Sequence, residues 1–210
     1  MTPALVLAAG ASQRFGYGNK LLAPLAGQAC IVGTLQSLRD AGIRRIHLVC
    51  RSRHDRVART ARRWSAGRRS LRIVATRTRA GSMSESLRVG VASLPDRCSA
   101  ALICMGDMPA LPPALVRRVL RAARPPLDYV RPVCGGRPGH PVHVSERLFG
   151  ALTRLEGDTG ARSVLAGVAV SRRRLLAAGP DCLNDIDTPA ALRRARRGTP
   201  PDPRSARRAA

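Results

Sequence analysis

Residues 4–22 read ALVLAAGASQRFGYGNKLL. The first five, Ala4 to Ala8, form a short uninterrupted apolar run, the kind a strand shows when both faces of a parallel sheet are covered. The run ends in Ala8-Ala9-Gly10, and glycine and polar residues follow as far as Gly18. In open α/β sheets ligands bind at the carboxyl ends of strands, where the strand order switches. Small residues there let the backbone approach a ligand closely, and exposed N–H groups can cradle phosphates. Arg14 and Lys20 add positive charge to the same loop. The stretch has neither GxGxxG nor GxxxxGK[ST] spacing. From the residues alone it is either a phosphate cradle or a Gly-rich connector with solvated charges. Lys20 weighs for the cradle. It is the only lysine in a chain that otherwise uses arginine, and a lone lysine points to a task needing a compact ammonium.

The alternation continues outward from this stretch. Helical spacing over Ile31 to Asp40 is followed by a strand at Arg45 to Cys50, a helix at His54 to Trp64 and a strand at Leu71 to Ala75. A helix is expected from Met83 to Leu94, a strand from Ala100 to Cys104 and a helix from Pro113 to Ala123. Short strands at Tyr129 to Arg131 and His140 to Val144 precede helices near Glu146 to Arg154 and Gly160 to Ala166. A late strand at Val168 to Leu175 and a final helix at Thr188 to Arg196 complete the series. Such alternation predicts a three-layer α/β domain with a mainly parallel sheet. The 210 residues fit one domain, expected over residues 1–197, followed by a basic, Pro- and Arg-rich tail at 198–210 expected to be disordered.

The net charge is +24, which raises the question of nucleic acid. The arginines are scattered over every segment and form no single stripe. Aromatics are only 2%, too few for the stacking platforms of single-strand binders. Nucleic acid is therefore not expected as the main partner, although a basic surface can steer an anionic substrate inward. Leu, Val, Ala and Ile must fill the core. The six cysteines include no CxxC pair and no Cys/His cluster with zinc spacing. No basic n-region or signal-like h-region opens the chain, and no apolar run approaches the ~18 residues of a membrane span. A cytoplasmic protein with free thiols, and no membrane partner, is the expectation.

Five further segments carry chemistry. In ICMGDMPAL, residues 103–111, Asp107 follows an apolar strand and should lie at its carboxyl edge beside Gly106. A carboxylate there either holds Mg²⁺ against a triphosphate or caps a turn. In RAGSMSESLRVG, residues 79–90, Ser82, Ser84 and Ser86 crowd a helix start, either meeting a polar ligand or capping the helix with Glu85 in its first turn. In CLNDIDTPAAL, residues 182–192, Asp185 and Asp187 share one side if the chain is extended, and so can share a cation. Asp187 or Thr188 can equally cap a helix with Pro189 at its first position. Last, GRPGHPV (136–142) sets His140 between glycine and proline, where it is either presented to a ligand or, as a lone histidine more often is, structural, and GDTGAR (157–162) sets Asp158 ahead of Arg162, where it can cap a helix.

Taken in order, LAAGASQRFGYGNKLL, GDMP, GRPGHPV, GDTGAR and DIDTP resemble the molybdenum cofactor nucleotidyltransferases, most closely the cytidylyltransferase branch. The resemblance runs from about Leu5 to Leu192. It implies a Rossmann-like nucleotidyltransferase fold and a reaction in which an acceptor phosphate attacks the α-phosphorus of CTP and pyrophosphate leaves. By the family pattern the nucleotide lies against Leu7, Ala8, Ala9, Gly10, Ser12, Arg14, Lys20 and Gly106. Arg14 and Lys20 take its phosphates, and Ser84 and Ser86 lie near base and ribose. Asp107 with Asp185 or Asp187 holds Mg²⁺, which gives Lys20, Arg14 and Asp107 the catalytic roles. His140, Asp158 and Arg162 face the acceptor, molybdopterin, and a molybdoenzyme receiving the product is the implied protein partner. Ala9 stands where the guanosine-type branch usually has glycine. Ser82, Phe15 and Met108 depart from the pattern, replacing Gly, Met and Gln. A relative with another nucleotide or acceptor, and a nicotinamide-dependent oxidoreductase on the same scaffold, are the alternatives. The missing GxGxxG and the acidic trio argue against the second.

Overall fold

The computed structural model describes residues 2–10, 12, 15, 18–66, 70–78, 82–157 and 159–197. Ten strands are seen there: β1 (Ala4–Leu7), β2 (Pro24–Leu25), β3 (Gln28–Ala29), β4 (Ile46–Cys50), β5 (Leu71–Ala75), β6 (Ala100–Met105), β7 (Tyr129–Cys134), β8 (Arg137–Pro138), β9 (Val142–Ser145) and β10 (Arg173–Ala177). Seven helices join them: α1 (Cys30–Asp40), α2 (Arg56–Trp64), α3 (Met83–Ala92), α4 (Pro113–Ala122), α5 (Phe149–Thr153), α6 (Arg162–Ala166) and α7 (Pro189–Arg196).

All four residues of β1 are buried because the strand sits at the centre of the main sheet, paired in parallel with β4 on one side and β6 on the other. The order is β10-β7-β9-β6-β1-β4-β5, with β8 hairpinned onto β7. β9 runs antiparallel to both neighbours, so the sheet is mixed, as expected, while β7 and β10 return to the direction of β1. The chain leaves β1 toward β4 and β5 and later crosses back to β6. The order therefore switches between β1 and β6, and a crevice opens at their carboxyl ends.

Period-two alternation divides the core between the two faces. Ala4, Val6, Leu48, Leu102 and Cys104 pack with Ile31, Leu35, Leu38, Ala58 and Val116 of α1, α2 and α4. Leu5, Leu7, Val49 and Ile103 pack with Leu87 and Val91 of α3, Leu152 of α5 and Leu165 of α6. Aliphatic side chains do this work, as the aromatic scarcity requires, each full burial contributing roughly 1.5–3 kcal/mol.

Several boundaries differ from the sequence reading. The strand expected from His140 begins at Val142, because the His140 N–H is drawn off to the Cys182 carbonyl and Pro141 has none to donate. The strand expected over 168–175 is shifted to Arg173–Ala177, behind a 3₁₀ turn at Val170–Arg172. The helix expected over 146–154 is a 3₁₀ turn at Glu146–Leu148 followed by α5. The hairpin between β7 and β8 was not anticipated. It turns on Gly135 and Gly136, whose φ values of 55° and 75° suit the positive-φ pair a two-residue hairpin demands. All six cysteines are free, and among the described residues no helix is long and apolar enough to cross a membrane. The tail 198–210 lies outside the described residues.

Candidate active site

Three segments converge at the carboxyl ends of β1 and β6. The first is the 3₁₀ turn Lys20–Leu22. The Asn19 side chain accepts from Leu21 N at 3.0 Å, and buried Leu21 anchors the turn to the core. The second is the end of β6, where Gly106 N donates to Leu7 O at 2.9 Å and Thr34 Oγ1 donates to Gly106 O at 3.0 Å. A Cβ at Gly106 would stand 3.1 Å from Leu7 O and 3.2 Å from Ala8 Cβ, so the close approach of the two strand ends depends on glycine there. The third is the stretch before α7. Ile186 is buried and donates its N–H to Asp107 O at 3.0 Å.

These contacts bring Lys20, Asp107 and Asp187 together. The Lys20 ammonium donates to Asp107 Oδ2 and, at 2.5 Å, to Asp187 Oδ1. Asp107 is 3% exposed. Among the described residues its second oxygen, Oδ1, is buried with no hydrogen-bond partner. Burial pushes the Asp107 carboxyl up, Lys20 pulls it back, and Asp187 adds to the rise, which prevails. For Lys20, burial acts to lower the pKa, but attraction to Asp107 and Asp187 outweighs it and holds the ammonium above its ordinary value. Among the described residues, one ammonium against two carboxylates leaves a net negative charge in the crevice. At an effective dielectric of ~20 each charge pair at ~4 Å is worth about 4 kcal/mol, so a further cation is attracted there.

Asp185 sits at the rim, exposed. Its carboxyl is raised to about 6 by desolvation where the chain crowds it, then by the charges of Asp187 and Asp107. No group of three or more His, Cys, Asp or Glu poised to hold a metal forms among the described residues. The expected acidic trio is thus a pair on one ammonium with a third carboxylate beside it. The helix-capping reading holds as well, through a different residue. Thr188 Oγ1 accepts from Ala191 N at 3.1 Å, which leaves Asp187 for Lys20.

Leu7, Ala8 and Ala9 are buried, and their backbone reaches the crevice: Ala8 N donates to Val49 O at 2.8 Å and Arg51 Nε to Ala9 O at 3.0 Å. Gly10 is exposed, and among the described residues a Cβ built on it would meet nothing within 4 Å. Ser12 adopts φ 54°, and its Oγ is buried with no partner among the described residues. Arg14 lies outside the described residues.

Ser84 and Ser86 are buried, 1% and 3% exposed, and their hydroxyls are engaged by the protein itself. Ser84 Oγ donates to Gly157 O, and Ser86 Oγ to Ser82 O at 2.9 Å. Ser82 caps α3 by accepting from Glu85 N at 3.1 Å, as the capping reading has it. The serine hydroxyls therefore brace the helix start and tie it to the 157–162 segment. His140 follows the structural reading: its N–H donates to Cys182 O at 2.9 Å and its Nδ1 lies 3.4 Å from Ile103 O. Burial first, and the Arg131 charge after it, lower His140 to about 4, so it is neutral near pH 7. Arg162 is exposed at the start of α6, and Asp158 lies outside the described residues. Sequence reasoning missed Arg131. An arginine in the middle of the apolar run YVRPVC, at the same strand face as Tyr129, was the available signal.

The chain is similar to Rv0371c from Mycobacterium tuberculosis H37Rv, with 28% identity and a TM-score of 0.76 over 94% of this chain and 98% of that one. A manganese complex of Rv0371c matches with 26% identity and a TM-score of 0.71 over 94% of this chain and 99% of that one. A nucleotidyl transferase from Methanothermobacter thermautotroptrophicus shares the fold, with 22% identity and a TM-score of 0.77 over 94% of this chain and 97% of that one. No curated protein matches in sequence. The fold is that of the nucleotidyltransferases. Residues 4–175 match the MobA-like NTP transferase domain, and the chain belongs to that family.

Proposed function

We propose that this protein is a Mg²⁺-dependent cytidylyltransferase that transfers CMP from CTP to the phosphate of the molybdenum cofactor, molybdopterin, with release of pyrophosphate. The observation that carries the reading is the Lys20 ammonium shared by Asp107 and Asp187 at the switch point, where β1 leads to the exposed Gly10. Phosphoryl-type transfer is mostly positioning and charge neutralisation, and this site offers both. An oxygen of the acceptor phosphate forms the new bond to the α-phosphorus. The bond from that phosphorus to the bridging oxygen breaks, and the electron pair leaves with pyrophosphate. The attacking oxygen is already anionic, so no side-chain nucleophile or base is required.

Each residue has a role in this scheme. The backbone from Leu7 to Gly10, with Ser12 and Gly106, lies along the nucleotide. Lys20 and Arg14 neutralise its phosphates. Ser84 and Ser86 shape the nucleoside side by fixing the start of α3. Asp107 and Asp187, with Asp185 beside them, would hold Mg²⁺, and the unpartnered Asp107 Oδ1 fits a metal ligand. Mg²⁺ commonly takes one or two carboxylates and fills its remaining positions with phosphate oxygens and water, which suits a carboxylate pair. The bound ion supplies charge neutralisation at the triphosphate. The manganese complex of Rv0371c supports a divalent ion in this family. Ala9 favours CTP over GTP by the family pattern. His140, Asp158 and Arg162 form the acceptor side, a molybdoenzyme receives the product, and the reaction is cytoplasmic.

A thermal-shift screen against CTP, GTP, ATP, UTP, NADH and NADPH, each with and without Mg²⁺, tests the proposal. A ligand that binds the native state alone stabilises it by about 2.7 kcal/mol at 100 times its Kd. A Mg²⁺-requiring shift with CTP is expected. A shift with GTP alone changes the base. A shift with a nicotinamide nucleotide that ignores Mg²⁺ sinks the transferase and favours an oxidoreductase.

A further inference from the structure

Arg131 lies on β7, two residues from Tyr129 and therefore on the same face of the sheet. Tyr129 is buried there with Ile103, Val142 and Leu165, and Ala161 and Val164 pack against that cluster, so α6 covers this face. Arg162, the first residue of α6, follows Ala161 directly. The segment leading into α6 is tied to the start of α3: Gly157 O accepts from Ser84 Oγ, and a Cβ at Gly160 would stand 3.4 Å from Met83 Cγ. The loop before β9 closes another side, with Gly139 O accepting from Arg131 Nη2 at 3.3 Å. That loop is itself fixed, because a Cβ on Gly139 would come within 2.5 Å of Cys182 O. Arg131 and Arg162 thus lie on the α6 face of the sheet, one on β7 and one at the start of α6.

Neither has an acidic partner among the described residues. Arg131 is half-buried, its long 3.3 Å bond goes to a neutral carbonyl, and its Nε is buried with no partner among the described residues. Burial first, and the like charge of Arg162 after it, act against the Arg131 guanidinium. The chain carries 37 basic and 13 acidic residues, which accounts for unpaired arginines on its surface. It does not account for a guanidinium set inside a strand face with a donor left over. Buried donors are paired as a rule, and planar guanidinium forks match phosphate oxygens.

We propose that Arg131 and Arg162 form the anion subsite of the acceptor and bind a phosphate monoester that it carries. The assignment rests on the transferase reading for the word acceptor, but the site itself can be tested without turnover. Gly139, through its carbonyl on Arg131 Nη2, is the positioning residue of this subsite.

The probe is inorganic phosphate, titrated by calorimetry into the full chain, first alone and then with the nucleotide site filled by α,β-methylene-CTP and Mg²⁺. Arg131→Met and Arg162→Met are each expected to weaken phosphate about tenfold, the scale of one charge-assisted contact. The exposed Arg117→Met is expected to leave it within about twofold. Arg162 is exposed, so its variant folds whatever Arg131→Met does and carries the test alone if needed. Unchanged phosphate affinity in Arg162→Met, or affinity lost only in Lys20→Met, overturns the subsite and puts the phosphate in the nucleotide site. If no nucleotide binds while phosphate still depends on Arg131 and Arg162, the subsite stands and the proposed function falls.

Discussion

The sheet carries a buried carboxylate at each of its two ends, and they are built differently. At the amino end, Asp128 accepts from Arg172 Nε at 2.5 Å, from Arg172 Nη2 at 2.7 Å and from Ser145 Oγ at 3.2 Å, and its N–H donates to Arg172 O at 2.6 Å. Both oxygens are satisfied, and the Arg172 hydrogen bonds hold the carboxyl below its ordinary value. At the carboxyl end, Asp107 has one oxygen on Lys20 and the other without a partner among the described residues, and burial pushes its carboxyl up. A pair that closes on itself fixes β7 against β10. A pair left open keeps ligand capacity in reserve, and its stability cost marks it as a place built for something else.

The sharpest way to break this contrast is to remove the open charge. Asp107→Asn is expected to keep the fold and its melting temperature, because a carboxyl raised by burial contributes little stability at pH 7. Mg²⁺-dependent turnover should fall by about 10²–10³-fold, the cost of losing one preorganised electrostatic group. Pyrophosphate release and a melting curve on the same sample check both halves. Full activity, or a collapse of stability, removes Asp107 from the metal site. Lys20→Arg should fall nearly as far, because a planar fork does not replace a point ammonium held between two carboxylates. Arg117→Lys on the surface is the control. Equal small effects would make the lone lysine an accident of composition.

Asp128→Asn should give the mirror image: a melting temperature lower by several degrees with nucleotide binding unchanged. The sign with pH follows from linkage. A carboxyl held low when folded adds stability above its unfolded pKa of ~3.9 and loses it as pH falls through the folded value. The difference between Asp128→Asn and the parent should therefore vanish in strong acid. Gly10→Ala sharpens the comparison on a smaller scale. Among the described residues nothing lies within 4 Å of the added methyl, so stability is expected to hold, while a phosphate approaching the strand end meets it. A several-fold rise in nucleotide Kd is expected by calorimetry. An unchanged Kd takes Gly10 out of the cradle.

Much of this was legible in the sequence, for definite reasons. Buried parallel strands announce themselves as apolar runs, so β1, β4, β5 and β6 were located within a residue or two. Asp107 followed from lying just past such a run, and Lys20 from its uniqueness. That Lys20 would be shared by Asp107 and Asp187 was not legible, since 87 and 167 residues separate the partners and only the tertiary fold brings them together. The hydroxyls of Ser84 and Ser86 were expected at a ligand. They turn inward because Gly157 and Ser82 offer carbonyls that sequence spacing does not reveal. Arg131 escaped notice because a chain this rich in arginine hides one more, and only burial separates it from the rest.

The smallest effect concerns a third buried group, His47 on β4. His47 Nδ1 lies 2.7 Å from Ser93 Oγ, and Ser93 Oγ donates to Gly90 O at 2.6 Å. The hydroxyl proton is thus committed, and its oxygen accepts from Nδ1–H, which fixes a neutral tautomer. Burial first, then the charges of Arg72 and Arg45, lower His47 to about 4. A histidine held low when folded binds its proton more readily in the unfolded chain, so stability is full above ~6.5 and lost as pH falls toward the folded value. Asp185, raised to about 6, works in the opposite direction, and the folded state gains as it protonates. His140 and His143 are also lowered to about 4, and three histidines outweigh the raised carboxyls of Asp185 and Asp107. The urea midpoint should therefore drop between pH 7.5 and pH 5, and the drop should shrink, not disappear, in His47→Gln. A midpoint that rises over that interval would show that the raised carboxyls, not the buried histidines, set the acid response.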